Sequence, residues 1–240
     1  MNSLKIISLN IEFNKHLDLI LPFFRKENAD ILLLQEVLEE DLEFFWQNLQ
    51  MDFVFAPLSK IKFHDGIKTL GIATFSKFKI IESSFMLYRG SSKTIPVIYR
   101  TEPEKMNRGI LKTFVQKDSQ TFCLVNNYFT WSPEGNPNLA QRADLKKLLK
   151  LLSQIPGFVM CGDFNAPRGR EIFDKLAKVY KDNIPEDVTT TIDKNFHYAG
   201  DLQLVVDGLF TTKGYRVKGI KVINGVSDHC AIIGTTYNII

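Results

Sequence analysis

The sequence predicts an α/β fold in which two packed sheets, mostly antiparallel or mixed, are flanked by helices and carry a site at one edge of the sandwich. Two observations predict it. Short apolar runs of strand length alternate with stretches of helical periodicity along nearly the whole chain. A strand of buried type followed by an acidic residue and then a helix also occurs twice, at Glu36 and at Asp163. Two such strand ends can face each other, and strand ends are where α/β folds gather reactive groups.

The elements follow in order. Leu4 to Leu9 reads as a strand, and Leu17, Ile20, Leu21 and Phe24 recur at helical spacing. Ile31 to Leu34 is an apolar run too short for a helix, covered on both faces, and it ends abruptly in Gln35-Glu36. A helix is expected over Glu39 to Leu49, with strands near Phe53 to Phe55 and at Leu70 to Phe75. Tyr88 to Arg108, polar and carrying Arg89, Lys93, Arg100, Lys105 and Arg108, is expected to be a long exposed loop. Ile110 to Val115 and Thr121 to Asn127 form a hairpin across Gln116 to Gln120. Asn136-Pro137 places a capping side chain before a proline at the first helical position; Leu145, Leu148, Leu149 and Leu152 supply that helix's apolar stripe, and Pro156-Gly157 ends it. The strand Phe158 to Cys161 runs into Gly162-Asp163-Phe164-Asn165, a helix follows near Glu171 to Lys178, and Leu202 to Tyr237 reads as three closing strands.

The totals bound the function. A chain of 240 residues can bury a sizeable core, and one domain spanning residues 1–240 is expected. With 45% hydrophobic and 24% charged residues, a disordered or fibrous chain is excluded. A formal charge of +3 is too small to separate a nucleic-acid binder from a neutral enzyme. Cys123, Cys161 and Cys230 sit apart in strand-like runs, as buried thiols in a reducing compartment do, and no Cys/His spacing fits a tetrahedral zinc site. The opening MNSLKIISLN has neither a basic leader nor a small-residue cleavage site and reads as part of the first strand. No run of about twenty apolar residues offers a membrane span. The expected location is cytoplasmic.

Polar, charge-bearing side chains stand at the end of an apolar run at Asn10 to Glu12, Gln35-Glu36, Gly162 to Asn165 and Ser227 to His229, and Asp207 lies within Val205-Val206-Asp207-Gly208-Leu209-Phe210. Any one of these segments alone reads as a cap or a turn. Their combination asks for more. A carboxylate among valine, leucine and phenylalanine is costly to desolvate unless it binds a metal or pairs with a cation or donor.

The series LN, LLLQEV, CGDFN, VVDGLF and SDH, running from Asn10 to His229 in this order, resembles the endonuclease/exonuclease/phosphatase superfamily. The resemblance implies a four-layer α/β sandwich like that of deoxyribonuclease I, and a divalent-metal-dependent hydrolase of phosphate esters. It further implies that Glu36 binds the metal with Asn10 beside it. Asp163 would orient or deprotonate the attacking water, Asn165 would donate to phosphoryl oxygens, and His229 would contact the scissile phosphate, held by Asp207. Asp228 resembles a second acidic residue near the metal. Glu12, two residues beyond Asn10 and on the same side of a continuing strand, is a further ligand candidate. Many members carry a histidine where this chain has Tyr128, and abasic-site nucleases use a tyrosine at a similar place to contact phosphate. Arg108, Arg142 and Trp131 are candidate substrate-binding residues, Arg142 against the favoured alternative of a solvated helix face and Trp131, by stacking at the mouth of a cleft, against an equally expected packing role.

The chemistry asks for these types in its own right. Phosphoester hydrolysis needs a nucleophile in line and charge neutralisation at the phosphoryl oxygens. Hard oxygen ligands favour magnesium, with manganese as a substitute. Three functions compete: a nuclease or DNA-end phosphodiesterase, favoured by the basic segment and Tyr128; a small-molecule or lipid-headgroup phosphatase; and a binding module without catalysis. Nucleic acid is the expected substrate and a small phosphoester the alternative. His16, His64 and His197 have no partner pattern and are expected to be surface or structural residues.

Overall fold

The computed structural model describes residues 3–239; Met1 and Asn2 of the opening segment, and Ile240, lie outside the described residues. In chain order the elements are β1 (Ser3–Asn10), α1 (Leu17–Glu27), β2 (Ile31–Leu38), α2 (Leu42–Leu49), β3 (Asp52–Phe63), β4 (Gly66–Ser76), β5 (Lys79–Arg89), β6 (Val97–Ile98), β7 (Arg108–Lys117), β8 (Gln120–Tyr128), α3 (Leu139–Leu152), β9 (Val159–Asp163), α4 (Glu171–Ala177), β10 (Lys181–Asp182), β11 (Asp207–Thr211), β12 (Tyr215–Ile223) and β13 (Ala231–Asn238). They form a 7-stranded sheet, ordered β12-β13-β1-β2-β4-β3-β6, and a 6-stranded sheet, ordered β10-β11-β9-β8-β7-β5. Both are mixed: β1 and β2 are parallel, as are β8 and β9, among otherwise mostly antiparallel neighbours.

The layering follows from the period of two along each central strand. Leu4, Ile6, Ile31 and Leu33 face the interior between the sheets, where they meet Phe122, Leu124, Val159 and Cys161. Ile7, Leu9, Leu32 and Leu34 point the other way, onto Ile20 and Phe24 of α1 and Phe45 of α2. On the far side Cys123, Val125 and Met160 cover Leu145 and Leu148 of α3 and Ile172 and Phe173 of α4. The result is a four-layer α/β sandwich. Strands apolar on both faces are the reason the runs look continuous rather than alternating.

Several expectations are corrected. Asp52–Ser76 is one long hairpin, more extensive than the two short runs suggest, because Lys60 and Lys62 face solvent on either side of buried Ile61 and so interrupt the apolar run without ending the strand. The segment from Tyr88 to Arg108 is irregular and largely exposed between Gly90 and Lys105, as expected, but it is anchored more firmly than a free loop. Its ends belong to β5 and β7, β6 pairs with β3, and Ile98, Met106, Asn107 and Arg108 are buried. Asn136 does not cap α3; Asn138 does, its Oδ1 accepting from the Gln141 amide at 2.9 Å, so the proline precedes the cap. The three closing strands are β11 to β13, and the free cysteines are all buried.

Candidate active site

The inner faces of the central strands stay apolar until their last residue or two, and there they turn polar together. Asn10 ends the face that begins at Leu4, Tyr128 the face that begins at Phe122, and Asp163 the face that begins at Val159. Tyr128 and Asp207 both stand opposite Asp163 in the ladders, one on each neighbouring strand. Parallel pairing of β1 with β2 and of β8 with β9 is what brings these chain ends to the same edge of the sandwich.

Glu36 reaches the site by a different device. The pairing of β2 with β4 shifts between Leu34 and Val37, and Glu36 sits in this bulge with φ 55°. A bulge re-aims a side chain, here into the cleft and away from the sheet's outer face. Asn126 fills the opened ladder from the opposing sheet, donating to the carbonyls of Leu34 at 3.0 Å and Ala73 at 2.9 Å.

Around this edge the contacts are close. Asn10 Nδ2 donates to Glu36 Oε1 at 3.2 Å and to Asp163 Oδ2 at 3.3 Å, bridging carboxylates from the two sheets. Tyr128 donates its hydroxyl to Glu36 Oε1 at 2.7 Å. Asn165, with φ 48°, donates its backbone amide to Asp163 Oδ1 at 2.7 Å and its side-chain amide to Asp163 Oδ2 at 3.1 Å. His229 Nδ1 lies 2.9 Å from Asp207 Oδ2. Ser227 donates to Asp228 Oδ1 at 3.2 Å.

The glycine before Asp163 is required by geometry. Gly162 has φ 147°, and a Cβ there would lie 1.9 Å from the carbonyl oxygen of Asn127. No other residue lets β8 and β9 approach this closely, which explains the G of GDFN.

Electrostatically the site is an excess of buried carboxylate. Burial raises Glu36 above the ordinary carboxylate range, and the charge of Asp228 adds to it, against the donors Tyr128 and Asn10. Burial pushes Asp163 up to about 7; His229 opposes this and Asp207 reinforces it. Burial works to discharge His229, yet Asp207, Asp163 and Asp228 overcome it and raise the imidazole well above its usual value. Burial, reinforced by Glu36, holds the Tyr128 phenol well above its own. These surroundings favour the imidazolium form of the histidine and the neutral, donating form of the tyrosine.

Two groupings could take a cation. Asp163, Asp207 and His229 bring ligand-type atoms within 4.8 Å of one another. In that trio, however, the imidazole already answers the carboxylates. Glu36 has only neutral donors, Tyr128 and Asn10, with Asp228 lining the same pocket. A hard divalent cation fits the Glu36 side better, because there the carboxylate is hydrogen-bonded by neutral groups alone and Asp228 adds like charge, against which His229 acts only weakly.

The remaining expected residues divide. Trp131 is 38% exposed and lines the pocket. Glu12 also lines it, but not as a strand neighbour of Asn10. The strand has ended, Glu12 has φ 47°, and its carboxylate pairs with Lys15 and with His16, whose Nε2 is at 3.0 Å. Arg108 is a correction: fully buried, its guanidinium stacks 4.3 Å from the Tyr128 ring centre, and it lies behind the site instead of in a solvent-facing loop. Arg142 is another, since it points outward and pairs with Glu171 at 2.7 Å. One turn position away, Gln141 faces inward and is fully buried, its Nε2 donating to the carbonyls of Thr130 at 2.8 Å and Asn165 at 3.0 Å. Its place four residues before Leu145 on the apolar stripe was the available signal.

The structure also adds residues that the sequence pattern passed over. His197, expected to be a surface or structural residue, lines the pocket with Tyr198. Buried Thr191 accepts at Oγ1 from the amides of Val206 at 3.0 Å and Asp207 at 3.1 Å, while its carbonyl accepts from Cys230 at 2.8 Å. It stitches the Asp207 and His229 segments together. No local motif marks it.

A two-sheet α/β sandwich with an acidic pocket across its strand ends defines a deoxyribonuclease I-like fold, and solved structures of that fold superpose on this one. An endonuclease/exonuclease/phosphatase from Bacteroides vulgatus aligns over 99% of this chain and 100% of its own, with TM-score 0.77 at 16% identity. A mannosyl-6-phosphatase of Bacteroides thetaiotaomicron VPI-5482 aligns over 98% and 100%, with TM-score 0.75 at 14% identity. The human nocturnin catalytic domain, with bound sulfate anion, aligns over 98% and 93%, with TM-score 0.69 at 18% identity. Comparison with curated proteins gives no sequence match. Residues 7–229 match the sequence model of the Endonuclease/Exonuclease/phosphatase family, and the chain belongs to that family. Its members are phosphoesterase hydrolases.

Proposed function

We propose that the chain is a divalent-metal-dependent phosphoesterase whose substrate enters the pocket at the strand ends. The observation that carries this reading is the bridge of Asn10 between Glu36 and Asp163, which joins carboxylates of opposite sheets at 3.2 and 3.3 Å in a buried edge. Glu36, with Asn10 and Asp228, would hold the cation, magnesium first and manganese in its place. When bound, it neutralises charge on the phosphoryl oxygens and helps the leaving oxygen.

The protein's own groups account for the rest. Asp163, once ionised, takes a proton from the attacking water, and its Oδ atoms are aimed by the two amides of Asn165. His229, kept protonated and oriented by Asp207 at 2.9 Å, donates to the phosphate as negative charge builds there. Tyr128 stays protonated and positions Glu36, donating to its Oε1 at 2.7 Å.

For the substrate, the basic segment that favoured nucleic acid supports it less once folded. Arg108 is buried, Arg89 pairs with buried Asp144 at 2.5 Å, and Lys105 pairs with Glu102. A pocket of about 500 Å³ is of the size that takes small ligands. A phosphate ester of a small organic molecule is the reading we favour, and the mannosyl-6-phosphatase among the structural relatives is compatible with it. A nuclease acting at a single-stranded end is the second reading, favoured by the exposed rings of Trp131 and Tyr198 at the pocket, on which bases can stack. Buried free thiols agree with a reducing compartment, the cytoplasm.

The test is hydrolysis of a panel comprising sugar phosphates, aryl phosphates, inositol polyphosphates, single-stranded and duplex DNA, with magnesium and with chelator. Turnover should need the cation, and Glu36→Gln should abolish it. Full turnover in excess chelator would remove the proposal.

A further inference from the structure

The pocket has two chemically different ends. One is the acidic edge described above. The other is walled by Phe13, Ile61, Leu70, Ile98 and Met106, contributed by the turn after β1, the β3–β4 hairpin, β6 and the segment that precedes β7. These side chains belong to one apolar cluster that also includes Tyr128, so the apolar wall begins where the phosphate-side hydroxyl ends. Arg100 stands at the mouth, its guanidinium 4.7 Å from the centre of the Phe13 ring and 3.9 Å from Glu12.

We propose that this apolar end is a specificity subsite for the organic group esterified to the phosphate, and that it selects an aliphatic or aromatic group over a polyhydroxylated one. The inference deepens the phosphoesterase reading and rests on it. With the phosphate drawn to the acidic end, the atoms bonded to it can run along the wall formed by Tyr128, Phe13, Ile61, Leu70, Ile98 and Met106, which is apolar. Among the described residues that line this end, Arg100 and Thr101 at the mouth are the polar ones. A sugar or inositol ring placed there leaves hydroxyls without partners, which weakens its binding. An alkyl or aryl group gains instead, about fourfold in affinity for each methylene removed from water. The walls come from core residues with 6% exposure or less, so they are held in place before the ligand arrives.

The experiment measures inhibition constants of methyl-, butyl-, phenyl- and 2,3-dihydroxypropylphosphonate against hydrolysis of 4-nitrophenyl phosphate with magnesium, using the full chain. Phosphonates cannot be cleaved, so leaving-group chemistry does not enter. Butyl- and phenylphosphonate should bind at least about tenfold tighter than the methyl compound, within the ceiling set by fourfold per methylene. The dihydroxypropyl compound should gain about twofold at most. Thr101→Trp, a change at an exposed position lining the mouth, should erase the butyl and phenyl advantage while leaving the methyl constant within about twofold. Equal constants across the wild-type series, or a dihydroxypropyl compound as tight as butyl, would overturn the subsite while leaving the phosphoesterase reading intact. Absence of cation-dependent hydrolysis of any phosphate ester overturns that reading, and the subsite with it.

Discussion

Removal of His229 is expected to separate two consequences that the geometry couples. Its Nδ1 lies 2.9 Å from Asp207 Oδ2, and the two side chains are only 9% and 5% exposed. Loss of one donor aimed at a developing negative charge lowers turnover roughly 10²- to 10³-fold, about 2.7–4 kcal/mol of barrier. His229→Ala should fall in this range or below it. Asp207→Asn should lose less, roughly 10- to 100-fold, because Asp163 and Asp228 still favour the imidazolium. The double variant should be little worse than His229→Ala, since residues acting as one unit are not additive. Stability should follow another pattern. His229→Ala leaves a buried carboxylate unpaired, which costs roughly 1–3 kcal/mol or more, and adding Asp207→Asn should restore part of it. The pair is too buried for the fold to be indifferent to it, contrary to what a place at the rim of a cleft would allow. Turnover with magnesium and urea unfolding of the three variants decide the matter. Multiplicative losses in turnover, or a His229→Ala protein as stable as wild type, would refute the assigned coupling.

Three further outcomes are expected. Gly162→Ala should destabilise by about 3 kcal/mol or more, since overpacking and strain at positive φ each cost roughly 1–3 kcal/mol, and a urea midpoint near wild type would contradict the close approach of β8 and β9. Arg142→Ala should leave turnover within about twofold and the urea midpoint near wild type, because an exposed pair with Glu171 contributes little; a large loss of turnover would return the residue to the site. Asp163 is shifted from 3.8 up to about 7, so below that pH it carries a proton and cannot accept one from water. The kcat/KM should therefore fall tenfold per pH unit on an acid limb at about 7 without added charge nearby, moved lower by a bound cation, and a limb above 7 would argue against Asp163 as the base.

Much of this was legible along the chain because strand periodicity is local. Leu4 to Leu9, Ile31 to Leu34 and Phe158 to Cys161 announced central strands by their apolar runs, and the sites at their ends by the polar residues that interrupt them. The long hairpin Asp52–Ser76 and the folded segment before β7 were not legible. Their residues alternate with lysines or sit at an edge, and only pairing partners far away in sequence make them strands. Arg108 and Arg142 failed for related reasons. A basic residue's fate depends on which partner it meets, and Tyr128 and Glu171 became neighbours only on folding.

By itself the sequence determined two packed sheets flanked by helices and the polar residue types at the strand ends, which are written in short-range pattern, and through its motifs the resemblance that implied the family and the four-layer arrangement. Only the tertiary structure decided that Glu36 enters through a bulge, that Gln141 and Thr191 brace the site, that His197 and Tyr198 wall it, and that one end of the pocket is apolar. Those facts depend on register and on contacts between distant segments. A shift of one residue in register turns every side chain to the opposite face, and no local pattern fixes what stands across a gap between two sheets.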